Sequence, residues 1–151
     1  MRRVSAKKVE WGNSARRGAA THFRADFRHA VLNDADLTNA RICGYFYGTR
    51  LGGASLMLAD LSWSDFLGPT HHEMSLAGAQ LSDAKLRHCR ISSVSFFHAD
   101  CSGTDFSRSI LSDIRMKGCN LNRARFQGAQ IERTMFSTEQ IDQANLRRCV
   151  G

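Results

Sequence analysis

Large apolar residues recur at every fifth position along most of this 151-residue chain. Between Ala25 and Ile42 they stand at Phe27, Leu32, Leu37 and Ile42, and an alanine lies two positions before each of them. A step of five residues turns an α-helix by about 500°, and it alternates between the two faces of a flat strand. Neither element would therefore bury these residues on one side. The period instead predicts short extended segments joined by corners, which stack as the coils of a solenoid.

The period continues almost to the end of the chain, with two irregularities. The step from Ile42 to Phe46 is one residue short, and the glycine-rich segment around it indicates a tightened corner. His71 interrupts the apolar run inside the segment 69–73, which contains the single proline, so we expect a loop that leaves the coil there. The later inward positions are Phe46, Leu51, Leu56, Leu61, Phe66, Leu76, Leu81, Leu86, Ile91, Phe96, Cys101, Phe106, Leu111, Met116, Leu121, Phe126, Ile131, Phe136, Ile141 and Leu146.

The repeating unit resembles that of the pentapeptide repeat proteins, in which alanine, aspartate or asparagine, and leucine precede two variable residues. It stands here as Ala35-Asp-Leu-Thr-Asn, Ala59-Asp-Leu-Ser-Trp and Ala144-Asn-Leu-Arg-Arg, and the resemblance covers roughly residues 20–150. It implies an all-β fold, a right-handed quadrilateral β-helix with four pentapeptides per coil. About six coils spaced by ~4.8 Å would form a rod of roughly 30 Å.

The first nineteen residues lack the repeat and carry much of the positive charge. Residues 1–24 hold seven basic residues and one acidic residue, whereas residues 25–151 hold fourteen and thirteen. We interpret residues 1–19 as a basic leader that caps the first coil, with Trp11 over its end, and residues 20–151 as the β-helix. The alternative is a basic arm that binds nucleic acid or an acidic partner.

Cysteine use and hydropathy favour a cytoplasmic protein. No apolar run is long enough to cross a membrane, and no apolar segment of a secretory signal follows the charged N-terminus. Four of the five cysteines fall on inward positions and only Cys43 does not. We therefore interpret them as small core residues with free thiols in a reducing compartment.

We expect neither catalysis nor a cofactor. A filled rod has no concave pocket in which a nucleophile, a base and an orienting group could meet. The aspartates recur with the repeat, and their expected role is hydrogen bonding at corners. A metal site would have to be built from His71, His72, Glu73, His88 and Cys89, but a coil of twenty residues does not bring them together, so none is predicted.

A coil of twenty residues throughout would give the sides of the rod different surfaces. One side would stack Phe46, Phe66, Phe106 and Phe126. The same side would present a basic face consisting of Arg28, Lys85, Arg87, Arg108, Arg125, Arg147 and Arg148. Another side would expose an apolar partner surface formed by Met57, Leu58, Phe97 and Met135. Tyr45 and Tyr47 are expected to face outward, either at a plain surface kink or at a binding spot.

These features favour a non-enzymatic binding or scaffold protein whose faces contact another protein, the identity of which the sequence does not give. A nucleic-acid-associated protein that uses the leader and the basic face is one alternative. The resemblance implies another, since some pentapeptide repeat proteins imitate duplex DNA, bind DNA gyrase and protect it from inhibitors. Such mimicry requires a strongly acidic rod, whereas this rod is nearly neutral. Secreted bacterial effectors also use the repeat.

The C-terminal segment bears on oligomeric state. Ser137-Thr-Glu-Gln is a plausible helix start, or the last coil simply continues there. We expect no dedicated capping helix, so the end of the rod would expose its core. Pairing of two copies end to end would cover it, which predicts a homodimer through the C-terminal end.

Overall fold

A computed structural model describes residues 10–11, 24–69, 74–144, 146 and 149. The strands contain two or three residues each, because a corner soon follows each inward side chain. They are β1 (Glu10–Trp11), β2 (Ala25–Asp26), β3 (Arg41–Ile42), β4 (Gly44–Tyr45), β5 (Asp65–Leu67), β6 (Met74–Ser75), β7 (Arg90–Ser92), β8 (Val94–Ser95), β9 (Ile110–Ser112) and β10 (Gln130–Glu132), followed by α1 (Thr138–Gln143). No helix within these residues has the length and apolar character needed to span a membrane.

The strands pair in parallel with strands of the neighbouring coils, which defines a β-solenoid. The largest sheet has the order β2–β4–β5–β7–β9–β10, and its six rungs enclose about five turns. Paired residues in the regular part lie twenty positions apart, as Arg90 and Ile110 do. Bridges along three further sides complete the expected right-handed, four-sided β-helix. At the N-terminal end, β1 pairs with β3.

We name the four faces in chain order by the residues that pair along them. The first face carries Asp26, Tyr45, Asp65, Arg90, Ile110 and Gln130. The second carries Val31, Arg50, Ser75, Ser95, Arg115 and Met135, and the third carries Asp36, Ser55, Gln80, Asp100 and Asn120. The fourth carries Arg41, Asp60, Lys85, Asp105 and Arg125. Neighbours along a face are about 4.8 Å apart, the usual spacing of paired strands.

One coil contains twenty-five residues, whereas the first coil contains nineteen and the later coils contain twenty. Asp65 pairs with Arg90, twenty-five positions later. The backbone amides of Gly68 and Met74 bind the carbonyls of two adjacent residues in the next coil, so the extra residues enter between these two positions. They coincide with the interruption predicted at 69–73. Residues 70–73, including His71, lie outside the described part of the chain.

The extra residues divide the predicted phenylalanine stack into two. Phe46 stacks between Phe27 and Phe66 behind the first face, with ring centroids 5.1 and 4.5 Å away. Phe106 and Phe126 stack at 4.9 Å, but behind the fourth face. The prediction of one continuous stack is therefore wrong, because the coil that separates the two pairs does not contain twenty residues.

Small residues keep the coil narrow at the second inward position. Ala59 and Ala84 are fully buried there, and larger side chains would overfill the interior. All five cysteines are free, and burial raises the pKa of Cys89. The prediction that Cys43 does not occupy an inward position is wrong. The shortened corner turns this residue into the core, where its thiol lies 3.6 Å from the carbonyl oxygen of Trp63.

The aspartates have the predicted role at the corners. The carboxylates of Asp60, Asp100 and Asp105 each accept a hydrogen bond of 3.0–3.1 Å from the backbone amide two residues later. The next corner residue has positive φ, including the bulky Leu58 at 57° and Trp63 at 68°. For residues other than glycine, this left-handed backbone conformation costs roughly 1–3 kcal/mol of free energy per residue. It persists because the amides of both residues are hydrogen-bonded to the next coil.

At the C-terminal end, α1 replaces a corner of the last coil. Its N-cap is Ser137, which forms a capping box with Gln140. The side-chain amide of Gln140 is buried and donates to the carbonyls of Met116 at 2.7 Å and Cys119 at 2.9 Å. The predicted helix start is confirmed, but the expectation that no capping helix follows is wrong.

Candidate interaction surfaces

The interior of the coil is filled, so functional groups lie on its faces and corners. Every buried side-chain nitrogen or oxygen in the described part of the chain has a hydrogen-bond partner. Within that part, histidine, cysteine and carboxylate side chains form no group that could hold a metal ion. His88 stacks on an indole ring and Cys89 is buried, whereas His72 and Glu73 lie outside the described residues.

The residues predicted to form one basic face are divided between faces. Arg28 follows β2 on the first face. Lys85, Arg87, Arg108 and Arg125 lie on the fourth face or at the corner that follows it. Arg147 and Arg148 fall outside the described residues. The five extra residues of the long coil cause the division, because they rotate the later repeats by one face.

The fourth face carries charges that alternate in sign. Along the rod its residues are Arg41, Asp60, Lys85, Asp105 and Arg125. The Lys85 ammonium lies 3.8 Å from the Asp60 carboxylate, and the Asp105 carboxylate lies 3.4 Å from the Arg125 guanidinium. A third cation, Arg87, approaches Asp105 to 3.8 Å. The face is therefore a ladder of neighbouring opposite charges rather than the single basic face that the sequence predicted.

The predicted apolar partner surface is divided in the same way. Met57 and Leu58 lie at the corner that follows the third face. Met135 lies on the second face, and Phe97 lies at the corner that follows it. All four side chains are exposed, Met135 by 88%. Their exposure agrees with the prediction, but only Phe97 and Met135 share one region of the rod.

Exposed aromatic side chains gather where the fourth face meets the first, in the first three coils. The guanidinium of Arg24 pairs with the carboxylate of Asp65 at 2.8 Å and lies 4.3 Å from the ring centroid of Tyr45. It also donates a short hydrogen bond to the Trp63 carbonyl. The indole of Trp63 stacks on the imidazole of His88, with centroids 4.0 Å apart. We call these five residues the aromatic patch.

A shallow groove of about 750 Å³ extends the aromatic patch along the first face. It contains Tyr45 and Tyr47, the only tyrosines of the chain, and the imidazole of His29 packs edge-on against Tyr47. The prediction that the tyrosines lie outward is confirmed, since Tyr45 is exposed and Tyr47 is half-buried. At the rim, hydrogen bonds from Arg28 lower the pKa of Asp26 to about 2.

The charge states of Arg24 and His88 are fixed at neutral pH. Partial burial lowers the pKa of Arg24, but the hydrogen bond to Asp65 and smaller favourable contacts outweigh it, so the net shift is upward. Burial lowers the pKa of His88, and the positive charges of Arg108 and Arg87 lower it further. The patch therefore combines a permanent cation with a neutral imidazole.

The stacked pair predicts a pH-dependent signal. In a Trp11→Phe background, we expect the fluorescence of Trp63 to fall as pH drops below 6.5, the usual pKa of the group, because an imidazolium quenches a stacked indole. Since the folded-state pKa of His88 is the lower one, the unfolded chain takes up the proton first, and stability is lost as pH falls. The His88→Gln variant should remove the transition. A midpoint at or above 6.5 contradicts the assignment.

Sequence reasoning did not group Trp63, His88 and Arg24. Trp63 and His88 are twenty-five residues apart, so only the long coil stacks them; a coil of twenty residues would place His88 over Gly68. Arg24 precedes the first clear repeat. The available signal was the bulky tryptophan at the fifth position of its repeat, where most described corners have glycine or a polar residue.

The comparison with protein families agrees with this architecture. A family model described as pentapeptide repeats matches with eight copies, over residues 23–44, 75–113 and 99–137. These ranges together cover more than half of the chain. The protein belongs to the pentapeptide repeat family.

Solved structures with a similar fold include several pentapeptide repeat proteins. QnrB1, a plasmid-mediated fluoroquinolone resistance protein, is 20% identical with a TM-score of 0.50, over 97% of this chain and 80% of QnrB1. Rfr23 from the cyanobacterium Cyanothece 51142 is 16% identical with a TM-score of 0.41, over 89% of this chain and 88% of Rfr23. HetL from Nostoc sp. strain PCC 7120 is 21% identical with a TM-score of 0.32, over 84% of this chain and 64% of HetL. Such identities indicate a shared fold alone, and a search of curated proteins found no match.

Proposed function

We propose that this protein is a non-catalytic binding module that presents its β-helical faces to another protein, with the aromatic patch as the contact surface. The observation that carries the proposal is the exposure of Trp63 by 51% and of Tyr45 by 40%, beside the Arg24–Asp65 ion pair. Tryptophan, tyrosine and arginine are enriched among the residues that contribute most binding energy at protein interfaces. The two aromatic side chains bury a large area with few rotatable bonds, and the guanidinium of arginine forms several hydrogen bonds.

The patch is organised before a partner arrives. Trp63 donates its backbone amide to the carbonyl of Arg87 at 2.9 Å, and its ring is stacked on His88. Tyr45 belongs to β4, which is paired on both sides. Binding would therefore cost little conformational entropy, and preorganisation of this kind increases affinity.

Paired substitutions test this surface. The double variant Trp63→Ala/Tyr45→Ala is compared with Ile110→Ala, a control on the first face whose side chain is 44% exposed. A partner is first isolated on the immobilised wild-type protein, and its affinity for each purified variant is then measured by calorimetry. A hot-spot residue contributes at least about 2 kcal/mol, so the double variant should bind at least roughly 30-fold more weakly than the wild type.

The control decides the interpretation. Ile110→Ala should leave the affinity within about twofold, since it lies outside the patch. Equal binding by the double variant and wild type would reject the patch as the contact surface. Circular dichroism of the variants checks that the β-helix is intact, which is expected because both replaced side chains are exposed.

The two other functions considered from the sequence have less support. Binding of nucleic acid requires uncompensated basic residues, whereas Lys85 and Arg125 of the fourth face lie beside Asp60 and Asp105. Protection of gyrase through mimicry of duplex DNA has a structural relative in a fluoroquinolone resistance protein, but that likeness concerns the fold. The alternating charges of the fourth face differ from the uniformly negative surface that such mimicry needs.

Two further expectations remain proposals. Pairing of two copies through the C-terminal end is compatible with β10, which is the last strand of its sheet and leaves an unpaired edge in the described residues. A cytoplasmic location suits the free cysteines, because a reducing compartment keeps thiols reduced.

A further inference from the structure

The corners of the coil share one backbone contact. The corner residue with positive φ donates its amide to a carbonyl of the next coil, as His98 does to Lys117 at 3.1 Å. Gly118 has the same backbone conformation, with φ at 69°, but its amide has no acceptor among the described residues. The reason is that Ser137 begins the cap of α1 where the next corner would lie. Among corner residues with positive φ whose following coil is described, only Gly118 has an amide without an acceptor in the described residues, which leaves this amide available to a ligand.

A groove of about 880 Å³ lies beside this amide, between α1 and the last coils. Its apolar lining consists of Ile114, Met116, Met135 and Phe136. Lys117 and Arg115 line the same groove and are exposed, so positive charge lies next to the Gly118 amide. The groove therefore combines an apolar surface, a backbone donor and cationic side chains.

The acidic residues of the groove already have partners. Asp113 receives hydrogen bonds of 2.7 and 2.9 Å from Arg133. Glu139 accepts a hydrogen bond of 3.1 Å from Gln143. The rod also becomes basic towards this end, since residues 84–151 contain eleven basic and six acidic residues. The lining of the groove contains three basic residues and two acidic ones, and this excess of positive charge favours an anionic ligand.

We propose that this groove binds an acidic peptide segment of a partner protein, with a carboxylate of the peptide on the Gly118 amide and the Lys117 ammonium. Hydrogen bonds between charged groups are the strong ones, and amides at turns with a left-handed residue bind anions. The apolar side chains of the peptide would lie over Phe136 and Met135. The groove is at the opposite end of the rod from the aromatic patch, so this site does not depend on the function proposed for the patch.

Binding of a fluorescein-labelled peptide, Gly-Leu-Glu-Asp-Leu-Glu-Gly, to the full chain tests the proposal by fluorescence polarisation. Lys117→Glu should weaken binding by about tenfold or more, because it reverses the charge beside the carboxylate. The matched control is Arg123→Glu, which changes the net charge equally at an exposed corner of the same coil outside the groove and should have less than about a twofold effect. Equal losses in both variants would mean non-specific attraction and overturn the proposal.

Two further comparisons identify the ligand chemistry. A peptide with Gln and Asn in place of Glu and Asp should not bind, and equal binding would overturn the role of the carboxylate. In ¹⁵N-labelled protein, the acidic peptide should move the Gly118 amide resonance. Acetate or phosphate that moves it equally at the same concentration would indicate a site for a free anion only, against a peptide site.

Hydrogen exchange of the free protein tests separately whether the Gly118 amide lacks a hydrogen-bond acceptor. The Gly118 amide should exchange faster than the amide of Gly103, which is hydrogen-bonded to Asn122 at 2.9 Å. Equal protection of the two amides would show that Gly118 already has an acceptor, and the proposed site would be rejected.

Discussion

Replacement of Phe46 by alanine should lower the free energy of unfolding by about 3–5 kcal/mol. The ring is fully buried and stacks between Phe27 and Phe66. Truncation removes this contact area and leaves a cavity. The surrounding strands cannot collapse into the cavity, because hydrogen bonds between coils hold them at a fixed spacing. The expected loss therefore lies at the upper end of the range for core substitutions.

Urea denaturation followed by circular dichroism measures this loss. Phe97→Ala is the matched control, since the same side chain is removed from a position that is 43% exposed, and its effect should stay below about 1 kcal/mol. The slope of each transition must also be compared, because a repeat protein can lose cooperativity between its coils. Equal effects of the two substitutions would be incompatible with the core described here.

Replacement of Gln140 by leucine should lower the free energy of unfolding by about 1–3 kcal/mol. In the preceding coil, the carbonyl of Ala99 receives the backbone amide of Asn120 at 3.0 Å. The equivalent carbonyl, that of Cys119, receives the side-chain amide of Gln140 instead. Leucine has a similar volume but no donor, so it would leave this buried carbonyl without a partner.

Gln143→Leu provides the comparison for the cap. Gln143 belongs to the same helix and is exposed, and within the described part of the chain its side chain bonds Glu139 alone, so its replacement should change stability by less than about 0.5 kcal/mol. Thermal unfolding of both variants measures the difference, and hydrogen exchange should show the loss concentrated in the last coils. Unchanged stability of the Gln140 variant would mean that α1 does not seal the end of the rod.

These expectations also explain why the candidate surfaces lie at the two ends. In the middle of the rod, the amide of each corner residue with positive φ donates to a carbonyl of the next coil, as Asp83 does to Ser102 at 2.8 Å. At the ends the repeat stops, and special contacts take over, such as Arg24 near the first coil and Gln140 near the last. Groups without a coil partner are free for binding, whereas groups in the middle are committed to the fold.

The amino-acid pattern was sufficient to predict a solenoid of short extended segments, and its resemblance to the pentapeptide repeat proteins implied the right-handed, four-sided β-helix. A period of five excludes an amphipathic helix and a flat strand, and inward residues such as Leu81 and Phe96 are fully buried as predicted. The corner function of the aspartates and the helix start at Ser137 also followed from the pattern, because capping and turn geometry depend on neighbouring residues.

The arrangement of the faces could not be obtained in the same way. Five extra residues between Asp65 and Arg90 equal one repeat unit, so they leave the alternation of inward and outward positions unchanged. They nevertheless move every later repeat to the next face. The stacking of Trp63 on His88 and the separation of Met57 from Phe97 both result from this shift. A local pattern specifies which side chains point inward, but contacts between coils depend on how many residues each turn contains.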